Sequence, residues 1–331
     1  MSTPTSLDLP DGVRRTTIST SRGAFAALEA LPVSGVCERD PALLVPGYTG
    51  SKEDFIPVLD LLADDSRQVI AIDMRGQYET AGPGDPGGYA AAALGADVLA
   101  IMQATGARHL VGHSYGGLIG REAVLAGDGA EFASFTLMSS GPGALTGPRA
   151  TELRAMLDTL GADGDGQSYG GSPDRAALRD GPNRAALRDG IAGMWRDHLE
   201  PQAVAAGVPG PIVAFLGRRM RGNDPEGLVL MAAHMLAAPD RTDELARLDL
   251  PMLVIYGEND NAWSPEAQEN MAWRLGARRL CIPAAVHSPA VEAPATTASA
   301  LTQFWDAAEA APYRSAAEAA RSRSAAVTGT A

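Results

Sequence analysis

Short apolar runs alternate along this chain with longer segments whose apolar residues recur every three or four positions. Residues 42–45, 69–72, 109–113, 135–138, 251–256 and 279–282 are runs of the first kind. They are short, and rich in Val, Ile and Leu, as strands buried on both faces are. The second kind predicts helices. One carries Phe55, Val58, Leu59 and Leu62; another, over 89–105, carries Leu94, Val98, Leu99 and Met102. Others are predicted from 115 to about 125, over 265–276 with Pro265 in the first turn, and over 295–310 with Leu301, Phe304 and Trp305. Residues 16–20 and 24–31 read as an opening hairpin around the turn Ser21-Arg22-Gly23.

Strands alternating with helices call for right-handed crossovers and a mostly parallel, doubly wound sheet. The alternation stops after Gly141 and resumes near Pro251. Between them lie only helical patterns, such as Leu153-Met156-Leu157-Leu160 and Leu228-Met231-Met235-Leu236. That stretch also holds an imperfect nine-residue repeat, 173–181 and then 182–190, which is too short for a solenoid. Residues 161–172 are rich in turn formers. Four regions follow: 1–142 as the first part of an α/β core, 143–248 as a helical cap, 249–310 as the second part of the core, and 311–331 as a loose tail. Residues 1 to about 13, polar with Pro and Gly, read as frayed.

The chain has 331 residues, 45% of them hydrophobic, and a net charge of −13. The acidity and the lack of a long basic run argue against nucleic acid and anionic membranes as partners. No apolar run is long enough to span a bilayer, and no leader is visible, so a cytoplasmic location is expected. Cys37 and Cys281 lie outside any C-x-x-C motif and read as free thiols, Cys281 as a small buried residue; no metal site is expected.

The chemistry concentrates at Gly112-His113-Ser114-Tyr115-Gly116. This G-x-S-x-G lies where a strand turns into a helix, the setting of a nucleophile elbow. A serine hydroxyl needs a base within reach and an acid that orients the base. Among the five histidines, His287 follows the last strand and arrives at the same sheet edge as Ser114. Asp260 follows the preceding strand, with Glu258 as a rival for the acid. The order Ser114, Asp260, His287 suits a triad. His113 precedes the nucleophile and should point away from it, while His198 and His234 fall in the insertion. An oxyanion needs two backbone N–H groups, expected from Tyr115 and from Tyr48 in the Pro46-Gly47-Tyr48 loop, because Pro46 has none. Asp73 and Arg75 are read as loop braces. Trp195, Phe215, Met220, Met231 and Met235 are read as apolar pocket wall or plain core.

With Asp73-Met74-Arg75-Gly76, Gly257-Glu258-Asn259-Asp260 and His287-Ser288-Pro289 added, the sequence resembles the α/β-hydrolase superfamily. The resemblance implies an eight-stranded, mostly parallel sheet, a helical cap after strand six and no cofactor. Two positions depart from the common pattern: Pro46 and Gln77 each stand where many members have His. Members with an Asp nucleophile, such as haloalkane dehalogenases and epoxide hydrolases, do not fit Ser114. The expected activity is cleavage of a small or medium carboxylic ester, thioester or lactone, with a small-molecule substrate and with no nucleic acid or membrane as partner. The same triad also serves carbon–carbon bond hydrolysis, perhydrolysis and lyase or cyclase steps, and a low-turnover ligand-binding protein would keep the pocket without the rate.

Overall fold

The computed structural model describes residues 2–63, 66–129, 131–160 and 184–310. Eight strands form one sheet: β1 (Val13–Thr20), β2 (Gly23–Ala30), β3 (Ala42–Val45), β4 (Val69–Ile72), β5 (His109–His113), β6 (Ser134–Met138), β7 (Met252–Gly257) and β8 (Arg278–Ile282). Their spatial order is β1-β2-β4-β3-β5-β6-β7-β8. β2 pairs antiparallel with β1 and with β4, and every later pairing is parallel. The expected eight-stranded, mostly parallel doubly wound sheet is what forms.

Period-two alternation sorts the strand residues between two cores. Leu43, Val45, Ile70 and Ile72 face a cluster shared with α2 (Ala91–Thr105) and α3 (Tyr115–Ala126). Ala42, Leu44, Val69 and Ala71 face the opposite cluster, shared with α1 (Ile56–Ala63). The central strands are wholly buried, and the runs are continuously apolar for that reason.

Between β6 and β7 the described residues form α4 (Gly147–Thr159), α5 (Arg184–Met194), α6 (Glu200–Ala205), α7 (Gly210–Gly222), α8 (Pro225–Ala237) and α9 (Thr242–Leu245). A π-helical turn, Trp195–Leu199, joins α5 to α6. The turn-rich stretch 161–172 and the first copy of the repeat lie outside the described residues. So does the tail 311–331. Most of the second copy is the start of α5. After β7 come α10 (Pro265–Leu275), α11 (Pro289–Glu292) and α12 (Pro294–Ala310), which packs beside α1. Among the described residues no helix is long and apolar enough to cross a membrane.

Two local expectations are corrected. Residues 2–12 are not frayed: Pro4 is buried, and Leu7 and Leu9 pack against the two cores. Arg219, fully buried on α7, donates to the Ser2 carbonyl at 2.6 Å and pairs with Asp54 at 2.6 Å, which ties this arm to both the insertion and the core. Cys281 is exposed, as is Cys37, and both are free thiols. β8 is one of the two edge strands, so an alternating residue there meets solvent where a central strand would meet a neighbour.

Candidate active site

The elbow is built from close backbone approach. A Cβ on Gly112 would lie 2.4 Å from the Gly116 carbonyl oxygen, and one on Gly116 would lie 2.5 Å from the Val45 carbonyl oxygen. Only hydrogen fits at either place, so β5 can turn straight into α3. The turn costs strain at Ser114, whose φ is 54° and ψ −119°. Its N–H is held by the Met138 carbonyl at 2.8 Å. The side chain is thereby presented at the carboxyl edge of the sheet, at the start of α3.

The loops after β7 and β8 bring two further groups to this hydroxyl. His287 Nε2 lies 2.9 Å from Ser114 Oγ, and His287 Nδ1 lies 2.9 Å from Asp260 Oδ1. An ionised carboxylate only accepts, so Nδ1 carries the proton and Nε2 is free to accept from Ser114. Asp260 also accepts from the Ala262 N–H and from Gln268 Nε2, each at 2.9 Å. Burial pushes its carboxyl up, but the His287 bond and charge and these two donors outweigh burial and hold it below the usual carboxylate range. Glu258 turns elsewhere and accepts from the Ala284 N–H at 3.1 Å.

His113 does not point away. It lines the same cavity, and its Nε2 donates to the His287 carbonyl at 2.7 Å. Burial and the neighbouring His287 bring it down to about 3, so it stays neutral. His234 meets Tyr115 Oη at 3.2 Å and is likewise lowered, to about 4, by burial and the Arg121 charge.

Gly47 runs beside Ser114: a Cβ there would lie 3.0 Å from Ser114 Cβ and 3.4 Å from Oγ. The next residue, Tyr48, sends its hydroxyl to the Leu228 carbonyl at 3.0 Å, so its ring bridges the loop to α8. Tyr115 is the first residue of α3, whose opening N–H groups have no partner within the helix. Asp73 accepts from the backbone N–H and the ammonium of Lys52, both at 2.8 Å, and Arg75 donates to Asp97 at 2.8 Å. Burial raises Asp73 to about 6 against the pull of Lys52. Both side chains brace loops behind the site.

Ser114, His113, His287, Gly47 and Tyr48 open on a cavity of about 280 Å³. Its apolar wall includes Leu145, Leu153, Met156, Met194, Met220, Met235 and Trp263, and the i,i+3 ion pair Arg149–Glu152 also lines it. Met220 and Met235 are therefore wall residues, whereas Trp195, Phe215 and Met231 belong to the core. Ser2 lines the cavity too, its hydroxyl 2.8 Å from that of Ser288. His113 was expected to support the elbow by packing or by a hydrogen bond and makes the bond to His287, whereas Ser2 and Gln268 carried no signal in the sequence, because each acts through a partner 286 or 8 positions away.

The strand order and the elbow are those of the α/β-hydrolase fold, and the comparisons agree: a family model described as the alpha/beta hydrolase fold matches residues 40–186. The chain has the α/β-hydrolase fold. A curated protein of Variovorax paradoxus (strain S110), provisionally named carbamate hydrolase RutD, is 35% identical over 133 residues. That match covers 39% of this chain and 49% of the relative, so the chain spans about half the length of the curated relative it matches. A hydrolase from Pseudomonas aeruginosa PA01 shares the fold with TM-score 0.61 and 23% identity, over 88% of this chain and 98% of that one. The enol-lactonase from Burkholderia xenovorans LB400 does so with TM-score 0.61 and 20% identity, over 87% and 99%. A thermophilic esterase from Thermogutta terrifontis, malate bound, gives 0.61 and 21%, over 89% and 99%.

Proposed function

We propose that this protein is a serine hydrolase that cleaves a small or medium carboxylic ester, thioester or lactone through an acyl-enzyme. The observation that carries this reading is the unbroken relay from Ser114 through His287 to Asp260, at 2.9 Å in each link, on the wall of an apolar cavity. The helices between β6 and β7 act as the cap: α4, α5, α7 and α8 contribute Met156, Met194, Met220 and Met235 to that wall.

In the forward step Ser114 Oγ attacks the acyl carbon as its proton passes to His287 Nε2. Asp260 holds the ring by Nδ1 and stabilises the imidazolium. The oxyanion takes hydrogen bonds from the Tyr48 and Tyr115 N–H groups, the second at the positive end of α3. Collapse breaks the bond to the leaving group, which takes the proton from His287. Water then gives a proton to His287 and attacks the acyl carbon, and the acyl–Oγ bond breaks as His287 returns that proton to Ser114, releasing the acid. Every proton in this cycle is carried by a group of the chain.

The solved hydrolase, esterase and enol-lactonase with the same fold, and the relative named for carbamate hydrolysis, support an acyl carbon as the site of attack. A panel of aryl esters of graded acyl length, with a lactone and a thioester, tests substrate class. A fluorophosphonate probe should label Ser114 alone. A chain left unlabelled would favour a ligand-binding protein, and one labelled equally after Ser114→Ala would remove Ser114 from this role.

A further inference from the structure

We infer that Gln77 is a positioning residue for the oxyanion site, acting through the peptide between Gly47 and Tyr48. The inference rests on the proposed role of the Tyr48 N–H. Gln77 follows β4 in the Asp73–Gln77 loop and is 1% exposed. Its Nε2 donates to the Gly47 carbonyl at 2.9 Å, and its Oε1 accepts from the Met74 N–H at 3.3 Å. Its own N–H donates to the Met74 carbonyl at 2.9 Å, and its carbonyl accepts from Thr80 N–H at 2.9 Å. The carboxamide is thus anchored at both ends before it reaches Gly47. A second donor, the Gly50 N–H, meets the same Gly47 oxygen at 3.0 Å.

The Gly47 carbonyl and the Tyr48 N–H belong to one planar trans peptide, so they point in opposite directions. Two donors that hold the oxygen on the loop side therefore decide which way the N–H faces. Gly47 itself lies against Ser114, where no side chain would fit without displacement, so the aimed peptide is next to the nucleophile. Donors on the oxygen also polarise the amide, which strengthens its N–H as a donor. Gly47 is free to rotate in a way other residues are not, and without Gln77 the Gly47 oxygen would keep, among the described residues, the Gly50 bond alone. A carboxamide does not titrate, so this clamp is the same at every pH at which the fold persists. The oxyanion develops only in the transition state, so the clamp should act on turnover and not on substrate binding.

The test uses the full chain and the aryl ester turned over fastest, with active sites counted by fluorophosphonate titration. Gln77→Met keeps the length and removes both side-chain hydrogen bonds. It should lower kcat about 10- to 100-fold with KM within about twofold, and weaken a boronic acid inhibitor, which forms a tetrahedral adduct on serine, by a similar factor. Should Gln77→Met lose the fold, Gln77→Glu keeps the shape and sets an acceptor against the Gly47 oxygen; the same loss of kcat is expected. A lowered Tm with unchanged kcat per titrated site would make Gln77 a structural residue and overturn the inference. Turnover that survives Ser114→Ala would instead overturn the functional reading beneath it, so the two failures are distinguishable.

Discussion

The sheet carries two serine–histidine–carboxylate arrangements, one at each end of β5. At the carboxyl end, Ser114, His287 and Asp260 are linked at 2.9 and 2.9 Å. At the amino end, His109 Nδ1 meets Ser134 Oγ at 2.8 Å and His109 Nε2 meets Glu309 Oε1 at 2.9 Å. On distances alone the two are equivalent. Their surroundings are not. Ser134 and His109 are completely buried, and the imidazole stacks on Trp305 with ring centres 5.4 Å apart. Arg67, fully buried, donates to Glu309 and to the Asp40 carbonyl. Asp40, His109 and Glu309 have ligand atoms within 4.8 Å of one another, but the guanidinium already supplies the positive charge there. Ser134 sits within a strand, whereas Ser114 takes a positive φ on a sharp turn. Ser114 opens on a cavity, has α3 behind it and has the Gly47–Tyr48 peptide beside it. A relay of hydrogen bonds is thus compatible with a brace. Access, a strained backbone at Ser114 and nearby backbone N–H groups set the first arrangement apart.

The sharpest way to break this contrast is to remove each hydroxyl. Ser114→Ala should cut ester turnover by roughly four to six orders of magnitude with an unchanged melting profile, while Ser134→Ala should leave turnover within about twofold. Loss of kcat per folded molecule in Ser134→Ala would dissolve the distinction. The carboxylates come next. Asp260→Asn should lower kcat by about three to four orders of magnitude, because the amide favours the wrong tautomer of His287. Glu309→Gln should leave kcat unchanged and lower Tm instead, read in the same kinetic and thermal assays.

Removing the second imidazole tests stability directly. His109→Ala deletes two buried hydrogen bonds and the stack on Trp305, and should cost about 2–4 kcal/mol in urea unfolding, with activity per folded molecule retained.

The smallest effects are in the pH dependence of unfolding. Burial pushes the Glu309 carboxyl up, but the bonds from His109 and Arg67 and the Arg67 charge prevail and bring it down to about 2. Its folded value is below its unfolded one, so its contribution is complete above about pH 4.5 and is lost as pH falls toward 2. Glu309→Gln should flatten the stability curve in that window. His113 is also depressed, to about 3, but it is a base buried neutral. The unfolded chain takes up the proton first, so stability should fall as pH drops from about 6.5 toward 3. His234, lowered to about 4, adds to the upper part of that slope, so His113→Asn should shallow it without abolishing it, as followed by Tm against pH.

The sequence was enough to determine what depends on neighbours along the chain. The apolar runs at 42–45, 69–72 and 252–256 are strands because no other local structure buries four to six apolar side chains on two faces. Gly112 and Gly116 make the elbow by lacking a Cβ, which is a property of those two residues alone. The arrival of Ser114, Asp260 and His287 at one sheet edge follows from parallel strands, whose ends share an edge.

Tertiary structure decided what depends on partners far apart in number. Strand order along the chain puts His109 and His287 at opposite edges of the sheet, but nothing local tells that His109 is sealed by Glu309, 200 positions on. Cys281 was expected inside and lies on the exposed edge, because its strand has a neighbour on one side only. The arm at residues 2–12 is ordered by a buried arginine 217 positions away from Ser2. Periodicity records which side of an element is buried. It does not record what stands opposite, and the direction of a hydrogen bond or the access of a cavity is set there.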